Sequence, residues 1–122
     1  MNEFNYLCFI YKKSHSCVEK AGMIAMVKIR NLDTDDAYAL RGSTLEKVVK
    51  DDRSNGLIPF FVSATFGTTS VCSFDNIHEL GLICRREEIH LHVDGAYAGS
   101  SLICEEFRPY IHGIEVIIIN DF

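Results

Sequence analysis

Three short stretches of this 122-residue chain set chemically capable side chains among apolar or very small ones. In HLHVDGAYAG (90–99), His90, His92 and Asp94 alternate with apolar residues, and Gly95 and Ala96 follow at once. Alternating positions share one face of a strand, so His90 and His92 could chelate one metal ion. Asp94 lies four residues beyond His90, about 13 Å along an extended strand at roughly 3.3 Å per residue, too far to join the same ion without a sharp bend. Zinc also wants a third and a fourth ligand, and no further spaced set of His, Cys or Glu supplies them. The favoured reading is a pair of satisfied histidines on a buried strand covered by helices. Asp94 keeps two readings. It can cap a turn or a helix, or it can be a fixed carboxylate facing a cationic ring nitrogen. The second arrangement keeps a pyridine nitrogen protonated, so that the ring accepts electrons, as pyridoxal phosphate requires.

Gly95 and Ala96 allow a flat ring to lie against the backbone, and they equally suit tight packing of a strand on a helix. ATFGTTS (64–70) places a glycine between hydroxyl residues just past a strand. It reads either as a simple turn or as a loop lining the same end of the sheet. KSHSCVEKA (13–21) places His15 directly before a helix, where it can be a surface residue or can stack on an aromatic cofactor. There is no GxGxxG, P-loop or nucleophile elbow.

The elements that must position these residues can be read from periodicity. SCVEKAGMIA (16–25) has helical spacing, MVKIR (26–30) alternates like a strand, and NLDTDDAYALRG (31–42) is a polar connection. STLEKVVKDDRSNG (43–56) opens on a capping box, in which Ser43 and Glu46 satisfy each other's backbone N–H. It continues with Leu45, Val48 and Val49 on one stripe and ends at Gly56, suited to a left-handed stop. LIPFFVSAT (57–65) is continuously apolar, as in a parallel strand covered on both faces. SFDNIHELGLICRRE (73–87) is helical, with Phe74, Ile77, Leu80 and Cys84 on one side. IHLHVD (89–94) and VIII (116–119) are further strands. Alternation of strands and helices at this spacing predicts an α/β fold with a largely parallel sheet. Ligands in such sheets gather at the carboxyl ends of the strands, here Thr65–Thr69 and Asp94. A strand directly before the closing NDF would leave an open edge, so the chain is expected to be a piece of a larger fold.

Composition narrows the class. The length fits one modest domain with a core, and 48% hydrophobic with 24% charged residues is ordinary for a globular chain. A net charge of −5 and a pI near 5.4 argue against a nucleic-acid partner. The five cysteines are odd in number and form no CxxC pair, which fits reduced, mostly buried thiols rather than a disulfide framework. The opening MNEFNYLCFIYKK has the wrong charge order and too short an apolar core for a signal peptide. No run approaches the roughly 20 apolar residues of a membrane span. A cytoplasmic protein with no membrane partner is expected.

Taken together and in order, HSCVEKAGMI, GLIPFFVSATFGTTSVCSFDNIHELGLIC and HLHVDGAYAGSSLICEEFRPYIHGIE resemble the group II pyridoxal-phosphate-dependent amino-acid decarboxylases. The likeness is greatest to the aromatic-L-amino-acid, histidine and tyrosine decarboxylases, and it runs from about residue 14 to about residue 115. The resemblance implies an aspartate-aminotransferase-like, type I fold. Residues 1–122 would then be a single partial domain, a central fragment of the large cofactor domain. It also implies pyridoxal 5′-phosphate as cofactor, loss of CO2 from an aromatic L-amino acid to give the amine, and homodimers with the active site at their interface. By position, His15 matches the histidine that stacks on the cofactor ring near the substrate carboxylate, the resemblance's catalytic and cofactor-binding candidate. Thr69 matches a residue lining the cofactor and substrate site, Asp94 the aspartate paired with the pyridine nitrogen, and Ala96 the alanine packed on the ring's other face.

Departures accompany the likeness. The family's Schiff-base lysine sits in an Asn-Pro-His-Lys-like motif after the last matched strand, whereas this chain reads EVIIINDF, and none of its six lysines has that context. The upstream phosphate-binding Gly/Ser segment is also missing. Tyr11-Lys12-Lys13-Ser14 replaces a usual Ser-Asp-Gln-Ala, and Gly95 replaces an alanine. The isolated chain is therefore expected to be inactive, with the lysine and phosphate cradle supplied elsewhere. The alternative is a non-catalytic truncated paralogue that pairs with or modulates a full-length decarboxylase. A chain with no stable fold is a weaker third possibility.

Overall fold

A computed structural model describes residues 5–11 and 16–114. Four strands form one parallel sheet in the order β2-β1-β3-β4: β1 Tyr6–Tyr11, β2 Lys28–Leu32, β3 Ile58–Thr65 and β4 His90–Asp94. Helix α1 (Ser16–Ile24) links β1 to β2, α2 (Gly42–Ser54) links β2 to β3, and α3 (Ile77–Arg86) links β3 to β4. Two 3₁₀ segments, Gly99–Ile103 and Glu105–Ile111, follow β4. The α/β class and parallel sheet expected from the sequence are present.

Strand β1 is a correction, because the pattern assigned it no strand. YLCFIY occupies an interior position, pairing with β2 on one side and β3 on the other. Phe9, fully buried, joins Leu7, Leu32, Val62 and Leu91 against Leu45 and Val49 of α2 and Leu80, Ile83 and Cys84 of α3. Each such side chain contributes about 1.5–3 kcal/mol by leaving water.

Several boundaries differ from expectation. The second strand begins at Lys28 rather than Met26 and runs on through Leu32, because Met26 takes a left-handed φ of 54° as the chain leaves α1. The capping box at Ser43 does not form: α2 starts at Gly42, and its N-cap Arg41 offers no side-chain cap. Glu46 instead pairs with Lys50 at 3.2 Å and Arg86 at 2.9 Å. The Gly42 N–H donates to the Glu79 carboxylate at 3.0 Å, so a carboxylate from another helix does the capping. Gly56, at φ +77°, provides the left-handed stop as expected. Helix α3 starts at Ile77, where Asn76 Oδ1 accepts from the Glu79 N–H at 3.0 Å. Phe74 lies outside that helix and bridges Phe66. The strand expected at 116–119 falls outside the described residues.

The two faces of the sheet are covered unequally. Helices α2 and α3 pack on the face that holds the core. Helix α1 lies on the other face, over β1 and β2, where Gly22 leaves no room for a Cβ beside Ile29. His90 and His92, expected under helices, are exposed, and both stack on Phe61, with ring centroids 5.4 and 6.0 Å apart. Among the described residues, no three His, Cys, Asp or Glu come together as a metal site. The cysteines also depart from expectation. Cys8 and Cys84 are buried, with thiols pushed up to about 11 and about 12 by desolvation, but Cys17, Cys72 and Cys104 are exposed. No described helix is long and apolar enough to cross a membrane.

Candidate active site

The carboxyl ends of β3 and β4 are tied together by backbone: the Phe66 N–H donates to the Asp94 carbonyl at 2.8 Å. From there the chain forms a closed loop, residues 66–74. The Thr68 N–H donates to the Ser73 carbonyl at 3.0 Å and the Cys72 N–H to the Thr68 carbonyl at 2.8 Å. Inside the loop the Ser73 N–H donates to Thr68 Oγ1 at 3.1 Å, and the Thr68 and Ser73 hydroxyls lie 3.1 Å apart. Phe66 and Phe74 meet edge to face at 4.9 Å and close its neck. Thr68 is thus spent on the loop's own structure, while Thr69 and Ser70 stand exposed on its outer side.

Gly67 is the hinge of this loop. Its φ of +80° suits glycine, and a Cβ there would run into Ala98. Gly67→Ala is therefore expected to lower stability by about 1–3 kcal/mol through strain and overpacking. An unchanged urea midpoint for that variant would contradict this account of the loop.

At the end of β4, Asp94 Oδ1 accepts from the Ala96 N–H at 3.0 Å, so the carboxylate does shape a turn. Its second oxygen accepts no hydrogen bond from the described residues. Gly95 has a packing reason to be small: its carbonyl receives the Gly99 N–H at 2.7 Å, and a Cβ would lie 3.3 Å from the Gly99 Cα. The turn reading of Asp94 in HLHVDGAYAG is thus present in the structure.

A cleft of about 600 Å³ opens over these strand ends, within the roughly 300–1,000 Å³ of small-molecule sites. Thr69, Asp94 and Ala96 all line it, as do His92 and, from the start of α1, Ser16 and Cys17. The structure therefore brings three of the four sequence-predicted site residues to one cavity. The fourth, His15, lies outside the described residues; it directly precedes Ser16 in the chain. The parts played by His92 and Cys17 in the lining were not signalled by sequence pattern. His92 looked like a buried strand residue, and Cys17 like one turn of an ordinary helix.

The sequence matches the Pyridoxal-dependent decarboxylase conserved domain over residues 5–118. The chain belongs to the pyridoxal-dependent decarboxylase family. It is 52% identical to human histidine decarboxylase over 103 residues, which is 84% of this chain and 16% of that protein. It is 53% identical to pig (Sus scrofa) aromatic-L-amino-acid decarboxylase, again over 84% of this chain and 21% of that protein. The chain thus spans about a sixth to a fifth of the length of these two curated relatives. Its fold superposes on the crystal structure of Catharanthus roseus tryptophan decarboxylase in complex with L-tryptophan with a TM-score of 0.89. That likeness comes at 35% identity, over 93% of this chain and 26% of the other.

Pyridoxal phosphate is this decarboxylase family's cofactor, and the cleft fits its ring. Asp94, with one oxygen that accepts no hydrogen bond from the described residues, would suit a protonated pyridine nitrogen, the Ala96 methyl would suit an aromatic face, and the Thr69 hydroxyl would serve a ring or substrate oxygen. Among the described residues no lysine lines the cleft.

Proposed function

We propose that this chain carries the ring-binding side of a pyridoxal-phosphate site that decarboxylates an aromatic or imidazole L-amino acid to its amine and CO2. The observation that carries this is the convergence of Thr69, Asp94 and Ala96 on one cleft at the carboxyl ends of β3 and β4. When bound, the cofactor supplies an electron sink for the bond that breaks. The chain's own residues do the rest. Asp94 holds a proton on the ring nitrogen by fixed negative charge, its geometry set by the Ala96 N–H. Ala96 would lie against the ring, and the family resemblance makes His15 the candidate to stack on it. Thr69 orients oxygen atoms at the rim. The phosphate cradle, the lysine and the second subunit of a homodimer complete the site.

Grafting residues 5–118 in place of the matching segment of the pig aromatic-L-amino-acid decarboxylase tests this. The chimera is expected to show visible cofactor absorbance and to release CO2 from an aromatic L-amino acid or L-histidine. A folded chimera with neither would sink the proposal. A second reading is a chain that pairs with and modulates a full-length decarboxylase. Co-purification of the two from a shared expression host supports it, and a monodisperse chain that ignores such a partner counts against it.

A further inference from the structure

Asp75 is joined to Thr65, which lines the cleft, and the chemistry above makes no use of it. It is 3% exposed, yet both carboxylate oxygens are engaged. Oδ2 accepts the Thr65 N–H and Oδ1 accepts the Leu40 N–H, each at 2.7 Å. Its own N–H returns to the Thr65 carbonyl at 3.1 Å. Thr65 and Asp75 are the two feet of the loop that presents Thr69, so this reciprocal pair closes the loop at its base. The Leu40 bond ties the same base to the connection between β2 and α2. One residue past Thr65, the Phe66 N–H reaches the Asp94 carbonyl.

We propose that Asp75 is a positioning residue of the cofactor site, fixing the loop that carries Thr69 relative to Asp94. The inference rests on the cleft being the cofactor seat. A carboxylate is needed because both partners are N–H donors. An asparagine presents one acceptor and, at the other position, an N–H₂ facing an N–H.

Burial pushes the Asp75 carboxyl up to about 6, while the Leu40 and Thr65 N–H groups pull it down and Asp35 pushes it further up. Arg41, His78 and His112 line the shallow cavity on which Asp75 opens, and Glu79 engages Arg41. The folded carboxyl sits above its ordinary range. Its contribution to stability is therefore complete below about pH 4 and is lost as pH rises through about 6. Only the ionised form has acceptors for both N–H groups without placing a proton between them. The clamp is thus held at neutral pH at a cost in stability.

Nitrogen–proton correlation spectra of the whole chain between about pH 4 and about pH 8 test this. The Leu40 and Thr65 amides are expected to move through one transition near pH 6, and the Thr68 and Thr69 amides to move with it. Asp75→Asn is expected to abolish the transition and displace the loop amides while Phe9 and Leu91 keep theirs. It should also weaken binding of pyridoxine phosphate about tenfold, as loss of a good hydrogen bond would. The proposal is overturned if Leu40 and Thr65 titrate while Thr68 and Thr69 stay fixed, or if Asp75→Asn leaves the loop amides in place. The wild-type titration decides even if the variant fails to fold. It uses no ligand, so it stands or falls separately from the reading of the cleft, which the pyridoxine phosphate arm judges.

Discussion

Replacing Asp94 by asparagine in the decarboxylase chimera is expected to lower turnover by on the order of 10²–10³-fold, the usual loss when one preorganised electrostatic partner is removed. The argument turns on the two tasks of this side chain. Its Oδ1 accepts the Ala96 N–H at 3.0 Å, and an asparagine oxygen does the same, so the turn and the cleft wall remain. What the amide lacks is negative charge. Without it a pyridine nitrogen in the cleft loses its proton, and the ring loses much of its capacity to accept electrons. Asp94→Ala removes both tasks and should add a loss of stability of about 0.5–2 kcal/mol, as for other lost turn and cap residues. Steady-state CO2 release beside the urea midpoint separates the two effects. Full turnover in Asp94→Asn would reduce the aspartate to a turn residue.

Phe9→Ala is expected to cost about 3–5 kcal/mol, against a total of about 5–15 kcal/mol for a typical domain. Phe9 is fully buried and sits in the interior strand, next to both β2 and β3, so its cavity opens in the middle of the sheet. Tyr6→Ala, on the same strand but 41% exposed, should cost under about 1.5 kcal/mol. Urea denaturation of the two variants checks the contrast. Equal midpoints would mean that β1 does not carry the core.

That β1 escaped sequence reading has a physical cause. YLCFIY is buried along most of its length, so it shows neither the two-residue alternation of a half-exposed strand nor helical spacing. The longer IPFFVSAT run was legible because eight residues of apolar and small side chains between Gly56 and Gly67 suit a strand far better than a helix. The capping box at Ser43 was a reasonable local expectation that long-range charge overrode: Arg86, forty residues away, takes Glu46, and Glu79 takes the Gly42 N–H. Phe74 fell three residues before Ile77 and so mimicked one more helical turn. For the candidate site, Thr69, Asp94 and Ala96 were singled out from the residue types at strand ends together with the family likeness, and the structure places them along one cleft. Asp75 was not found, because nothing local distinguishes an exposed aspartate from one whose oxygens meet N–H groups 10 and 35 residues away.

The central claim, that the strand-end cleft is a seat for the cofactor ring, is tested most directly by titrating the chain with pyridoxine phosphate. This probe has the ring and phosphate but no aldehyde to react with lysines. The expected result is a saturable set of amide shifts centred on Thr69, Asp94 and Ala96 that disappears in Asp94→Ala. Saturable shifts that survive Asp94→Ala, shifts confined to the cavity beside Arg41 and His112, or no saturable shift at millimolar probe would contradict it.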